Sequence, residues 1–171
     1  ENARPWGLQE IMAKFNTGNI RTVNIIKDVS MLTPSDALLE GAYMVRKLPA
    51  WYVNTTKRLV KAPKIYIRDS GILHHFNQIT NLKDLPGHII TGASWEGYVI
   101  EEICKKLPNY IRPFFYRTHQ GAEIDLLIEI DGRLIGFEVK RTDQPRVTPS
   151  IRSALADLKL DHVYLVHAGT L

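Results

Sequence analysis

EIDLLIEIDGRLIGFEVKR, residues 123–141, decides how the second half of the chain folds. Two apolar-rich runs flank Asp131-Gly132, a pair suited to a two-residue type I′ hairpin turn. With that turn, opposed residues have numbers summing to 263, as Ile130 does with Arg133. The register then sets Asp125 opposite Glu138 and Glu123 opposite Lys140, all four on one face because strand side chains alternate with period two. Ile124, Leu126, Ile128 and Ile130 are expected on the other face with Phe137 and Val139, where they can form a core. Two opposed carboxylates destabilise a hairpin unless positive charge stands between them. A divalent cation resolves the conflict, since Mg²⁺ is a hard ion held by one or two carboxylates. Lys140 lies on the same face, placed to stabilise charge on a phosphate or to assist a water. The alternative is that Glu123 pairs with Lys140 across the hairpin while Asp125 and Glu138 lie at a solvated sheet edge.

Outward from the hairpin the pattern stays regular. Apolar residues Trp95, Val99, Ile100, Ile103, Cys104 and Leu107 recur at helical spacing over Ser94 to Leu107, and Pro108 ends the run. Glu96, at the edge of that stripe, offers a third carboxylate. PFFYRT (113–118) reads as a strand before the hairpin; a helix from Pro149 to Leu158 and a strand HVYLVH (162–167) follow it. The order is αβββαβ, in an α/β (α+β) fold class.

The first half differs in charge. Residues 1–68 hold 11 Lys or Arg against 5 Asp or Glu, a balance of +6, whereas residues 69–171 come to −2. From Arg46 to Arg68 run Arg46, Lys47, Lys57, Arg58, Lys61, Lys64 and Arg68 with no acid among them and with Trp51, Tyr52 and Tyr66 interspersed. Basic residues mixed with aromatics can bind phosphate and stack on bases, which makes Arg46, Lys47, Lys57, Arg58, Lys61 and Lys64 candidate nucleic-acid contacts; a solvated basic face is the plainer reading. Helices are expected over Leu8–Phe15 and Ile20–Val29. A third is expected at TPSDALLEGA, with Thr33 as cap, Pro34 in the first turn and Gly41 as stop. AYMVRKL and PKIYIRD read as strands flanking a basic connection from Pro49 to Pro63, the outline of a winged helix. Asp69 caps a short helix to Phe76, and Asn77–His88 reads as a polar loop.

Several motifs together resemble a known family. Asp125 followed by Glu138-Val139-Lys140, with Glu96 on the preceding helix and the order αβββαβ, is similar to the PD-(D/E)xK nuclease superfamily and its restriction-endonuclease-like core. LPAWYVNTTKRLVKAPKIYIRDSGILH, GASWEGYVIEEI, FYRTHQGAEIDLLIE and GFEVKR resemble the domain of unknown function C-terminal to the P-loop module in prokaryotic AAA-type ATPases. The resemblance spans roughly residues 29–168. It implies a winged-helix-like segment (1–68), a connecting helix and loop (69–92) and a nuclease-like core (93–171). It also implies metal ligands at Asp125, Glu138 and Glu96, Lys140 as the catalytic lysine, Mg²⁺ or Mn²⁺ as cofactor, and an AAA-type ATPase module and nucleic acid as partners. Ile124 replaces the proline of the motif name, and Glu123 stands where it could neutralise Lys140.

Two functional readings stay open at this level: a metal-dependent phosphodiesterase, or a catalytically silent module that binds nucleic acid or protein for the ATPase. No Gly-Lys dipeptide occurs, so a G-x-x-x-x-G-K-[ST] loop is absent and no ATP site is expected. No apolar run approaches the roughly 18 residues of a membrane span. ENARPW lacks a signal-peptide layout, so the chain is expected to be cytoplasmic without a membrane partner. Beginning at Glu1 rather than Met, it reads as a processed protein or an excised fragment. Cys104 is the one cysteine, which excludes an internal disulfide. His74-His75, Arg117 and His119 are read as ordinary polar residues and Trp95 as core, and Ser70 and Ser94 lack interpretable His and Asp partners for a serine hydrolase.

Overall fold

The computed structural model of the 171-residue chain describes residues 34–53 and 56–169. The helices expected over 8–15 and 20–29, and Thr33 as a cap, lie outside them. The described elements are α1 (Pro34–Gly41), β1 (Val45–Leu48), β2 (Lys64–Ile67), α2 (Ser70–Phe76), α3 (Thr91–Lys106), β3 (Pro113–Arg117), β4 (Glu123–Ile130), β5 (Arg133–Lys140), α4 (Pro149–Leu158) and β6 (His162–His167). From α3 onward the order is the expected αβββαβ, and the molecule combines helices with a mixed sheet.

The central hairpin forms as its turn residues dictate. Asp131 and Gly132 take φ of 52° and 73°, the left-handed pair a type I′ turn requires. Residues from Leu126↔Phe137 to Ile130↔Arg133 pair in the register summing to 263. β3 and β6 complete a four-stranded sheet in the order β3-β4-β5-β6, antiparallel except for the parallel β5/β6 pair. A parallel neighbour needs a crossover connection, here supplied by α4. Thr148 caps α4, its hydroxyl accepting from Ile151 N at 3.3 Å, and Pro149 opens the first turn.

Strict alternation along β4 fails at one point. Phe114 pairs with Leu127 but Tyr116 pairs with Ile124, so three steps on β4 match two on β3. One extra residue is therefore accommodated at Asp125-Leu126, a β-bulge. Its effect is to split the apolar residues expected on a single face. Leu126 and Ile128 pack with Ile100, Ile103 and Phe137 under α3, whereas Ile124 joins Tyr116, Leu127, Ala154 and Leu158 under α4. The expectation that Ile124 shares a face with Leu126 is thus corrected. Gly136 belongs to the same adjustment, because a Cβ there would meet Leu160 Cδ1 at 3.1 Å and Ile124 Cγ2 at 3.3 Å.

α3 starts at Thr91, three residues before its expected start at Ser94. Thr91 is fixed by the preceding turn, its hydroxyl donating to the carbonyls of Leu85 and His88. Asp69 caps α2 as expected, accepting from Ile72 N at 2.9 Å. The hairpin β1/β2 pairs antiparallel and sends Leu48, Ala50 and Tyr66 into the core beneath α3. The basic connection after β1 runs along the open edge of β3: Trp51 N donates to Phe115 O at 2.7 Å and Val60 N to Arg117 O at 2.9 Å. That edge is covered, which protects it from pairing with other chains. Among the described residues, no helix is long and apolar enough to cross a membrane.

Candidate functional site

A polar cleft of about 230 Å³ opens where the bulged end of β4 meets β5 and the start of α4. Glu96, Arg117, Glu123, Asp125, Glu138, Lys140, Thr148 and Ser150 line it. The four side chains singled out for catalysis, Glu96, Asp125, Glu138 and Lys140, come from one helix and two strands and line this one cleft. Ser150 braces the rim, accepting from Glu123 N at 3.1 Å. The bulge re-aims Asp125, whose Oδ2 accepts from Val139 N at 3.0 Å.

Sequence reading missed the residue at the centre. Lys64, grouped there with the basic surface, is 2% exposed, and its ammonium reaches Glu123 at 2.8 Å, Asp125 at 3.0 Å and Glu96 at 3.1 Å. Tyr66, two residues along the same strand, donates to Glu96 Oε1 at 2.6 Å. Gly97 makes room for that ring, since a Cβ there would lie 3.2 Å from Tyr66 Cδ1. Burial works against the charge on Lys64, but Asp125, Tyr66, Glu96 and Glu123 outweigh it and hold the ammonium well above its ordinary pKa. Burial, with the charge of Asp125, also raises Glu96, against the opposing pull of Lys64. The available signal was local: Lys64 opens the apolar, strand-like run KIYI, all four residues of which the structure buries, and a lysine in a buried strand must have charged partners.

Glu138 is served differently. Lys140 Nζ lies 2.7 Å from its Oε1, while Oε2 is buried without a hydrogen-bond partner. Burial, then the nearby Asp125, raise its carboxyl to about 7 against the pull of Lys140. The alternative pairing of Glu123 with Lys140 gives way to two others, Lys140 with Glu138 and Glu123 with Lys64 and Arg117. Among the described residues, no three His, Cys, Asp or Glu side chains close around one point as a ligand set. Glu96, Glu123 and Asp125 are instead drawn toward the Lys64 ammonium, and Glu138 pairs with Lys140.

The remaining basic candidates separate into two groups. Arg46 Nε binds Glu101 at 2.6 Å, joined by Arg68 at 2.7 Å, and Lys57 reaches Asp157 and Ser153, each at 2.8 Å. These side chains dock the first half onto α3 and α4. Arg58 and Lys61 are exposed, as is Tyr52, and Lys47 is half-buried. Arg117, read as an ordinary polar residue, lines the cleft, 3.6 Å from Glu123. His119 is exposed. Ser94 has a histidine partner after all: His74 Nε2 lies 2.7 Å from its hydroxyl. The cavity beside that pair is about 10 Å³, too small for a substrate, so the contact ties α2 to α3. Trp95 is half-buried rather than fully in the core.

No solved structure matches the chain. Two curated mycobacterial relatives do: Uncharacterized protein Rv2008c of Mycobacterium tuberculosis and Uncharacterized protein Mb2031c of Mycobacterium bovis. Each is 45% identical over 135 residues, which is 78% of this chain and 30% of the relative. The chain therefore spans less than a third of the length of these relatives. Residues 9–83 match a family described as Domain of unknown function (DUF8612). Residues 91–171, which carry α3, the mixed sheet and the eight side chains that line the cleft, match the family described as Domain of unknown function (DUF4143), whereas Lys64 and Tyr66 fall in the first match.

Proposed function

We propose that this chain is the nuclease-like accessory part of an AAA-type ATPase and that its cleft handles nucleic-acid phosphodiesters with one bound Mg²⁺ or Mn²⁺. The observation that carries the reading is Glu138 Oε2, a buried carboxylate oxygen without a donor, beside Asp125 in an open polar cleft. Hard oxygen donors of this kind suit a hard divalent ion, so Asp125 and Glu138 fit as its holders. Such an ion supplies Lewis-acid polarisation of a phosphate oxygen and a lowered pKa for a water. Lys140 lies at the mouth with its side chain 40% exposed, available to charge developing on a phosphate. Arg117 adds a second cation at the rim. The order αβββαβ and the mixed sheet, with Asp125 on its second strand and Glu138 and Lys140 on its third, support a restriction-endonuclease-like core. The relatives extend well beyond the matched region, which leaves length for a P-loop module.

The test is cleavage of labelled DNA and RNA by purified protein in Mn²⁺ or Mg²⁺. Cleavage lost in both Asp125→Ala and Lys140→Ala supports the reading; no cleavage of any substrate, or cleavage unchanged in both variants, sinks it. One observation favours a catalytically silent binding module instead: Lys64 already pairs with three of the cleft's carboxylates. That alternative predicts salt-sensitive nucleic-acid binding, without turnover, that is lost when the exposed Arg58 and Lys61 are reversed to Glu.

A further inference from the structure

We infer that Lys64 is the resident cation of the cleft, filling one of two cation positions among four carboxylates, so that the site takes up a single divalent ion. The inference rests on the metal reading proposed above. An ammonium group has three donors and no more. Three carboxylates stand at 2.8, 3.0 and 3.1 Å from Lys64 Nζ, which donates to Glu96 and Asp125 and lies in ion-pair contact with Glu123. The ammonium is held there rather than visiting. Lys64 is 2% exposed, pairs with Leu48 across the β1/β2 hairpin and has its Nζ 5.6 Å from the centre of the Phe115 ring.

Glu138, the fourth carboxylate, receives nothing from Lys64. Lys140 occupies Oε1, and Oε2 is buried without a partner. The two positions are therefore unequal. One is filled by the protein's own charge, delivered from a hairpin outside the mixed sheet; the other is bounded by an oxygen still lacking a donor or a cation. Removing the ammonium would leave Glu96, Glu123 and Asp125 facing one another with like charge, a cluster that a second hard cation neutralises.

Counting bound Mn²⁺ tests this, by titration calorimetry together with the electron paramagnetic resonance signal of the free ion. One ion per wild-type chain is expected, rising to two in Lys64→Met, with Glu138→Gln lowering each count by one. A wild-type count of two overturns the inference and leaves the proposed metal site standing. So does a count of one in both wild type and Lys64→Met when the variant keeps its native circular dichroism. A wild-type count of zero removes the metal reading itself and the inference with it. Should Lys64→Met not fold, Lys64→Arg keeps the positive charge and is expected to stay at one ion; two ions there would overturn the assignment.

Discussion

Two buried charge clusters lie along the same hairpin-to-helix contact, and they are built in opposite senses. At one end Glu101, 3% exposed, is held by Arg46 and Arg68, and both its oxygens are engaged. The arginine hydrogen bonds and charges outweigh burial and hold its carboxyl below the ordinary range. At the other end the single ammonium of Lys64 is shared by three carboxylates, with a fourth, Glu138, beyond its reach. One acid between two cations is a closed arrangement. The cleft sets four carboxylates against Lys64, Lys140 and Arg117 and leaves a buried oxygen unpartnered. The Glu101 cluster is satisfied by docking alone, whereas the Lys64 cluster leaves the buried Glu138 carboxyl without a partner for Oε2 and with its pKa raised. A buried group perturbed in this way in a cleft marks functional sites more often than structural ones.

Breaking each cluster should separate these roles. Lys64→Met in metal-free buffer is expected to lose about 4 kcal/mol of unfolding free energy, the order for removing one partner of a buried ion cluster. Glu101→Ala is expected to lose about 3 kcal/mol, less because its arginines can turn toward water; their side chains are 19% and 26% exposed. Urea denaturation with and without Mn²⁺ sharpens the contrast. An ion that binds only the folded chain adds stability according to its concentration over its Kd. Mn²⁺ should therefore restore part of the loss in Lys64→Met and none beyond the wild-type gain in Glu101→Ala. Equal responses in the two variants would erase the distinction drawn here.

A smaller effect follows from Glu138 in the presence of a chelator. Burial and Asp125 hold its carboxyl up to about 7, so the folded chain keeps a proton that the unfolded chain gives up near the ordinary carboxylate value. The unfolded state then binds fewer protons, and stability falls as pH rises. The contribution is complete below the ordinary value and is lost as pH rises through about 7. Glu138→Gln removes this group from the titration. Relative to wild type it should gain about 2 kcal/mol at pH 8 and lose that advantage toward pH 4, a site-for-stability exchange. A difference between the two proteins that is flat in pH would show that Glu138 titrates alike in the folded and unfolded chains.

What could be read from the sequence divides along the same line as these clusters. The Asp131-Gly132 turn, the register around it, the Asp69 cap and the element order all depend on residues within a few positions of each other, and the structure has them as expected. The bulge at Asp125-Leu126 depends on how β4 meets β3, so the alternation rule that located the carboxylates misassigned Ile124. Lys64 lies 61 positions from Asp125, and Arg46 lies 55 from Glu101. Counting basic residues between 46 and 68 gave a surface patch, yet Arg46, Lys57, Lys64 and Arg68 are spent on acids of α3, β4 and α4. Charge totals do not distinguish a cation facing water from one facing a carboxylate; burial of the strand that carries it does.

Cys104 gives the gentlest probe of the closed cluster. It packs against the core beneath α3, and burial, with Arg46 pulling the other way, pushes its thiol up to about 11. Only the thiolate is a nucleophile, and an unperturbed thiol has a pKa of about 8.5. At pH 8 the thiolate fraction in the folded chain is then smaller by about 100-fold or more, and alkylation by iodoacetamide should be slowed by at least that factor relative to the urea-unfolded chain. Glu101→Ala loosens the contact between hairpin and helix, so labelling of Cys104 should quicken in that variant. Lys64→Met perturbs the other end of the hairpin and should change the labelling rate less. Mass spectrometry of the alkylated protein over time reads both, and equal acceleration in the two variants would mean that the hairpin opens as one unit rather than cluster by cluster.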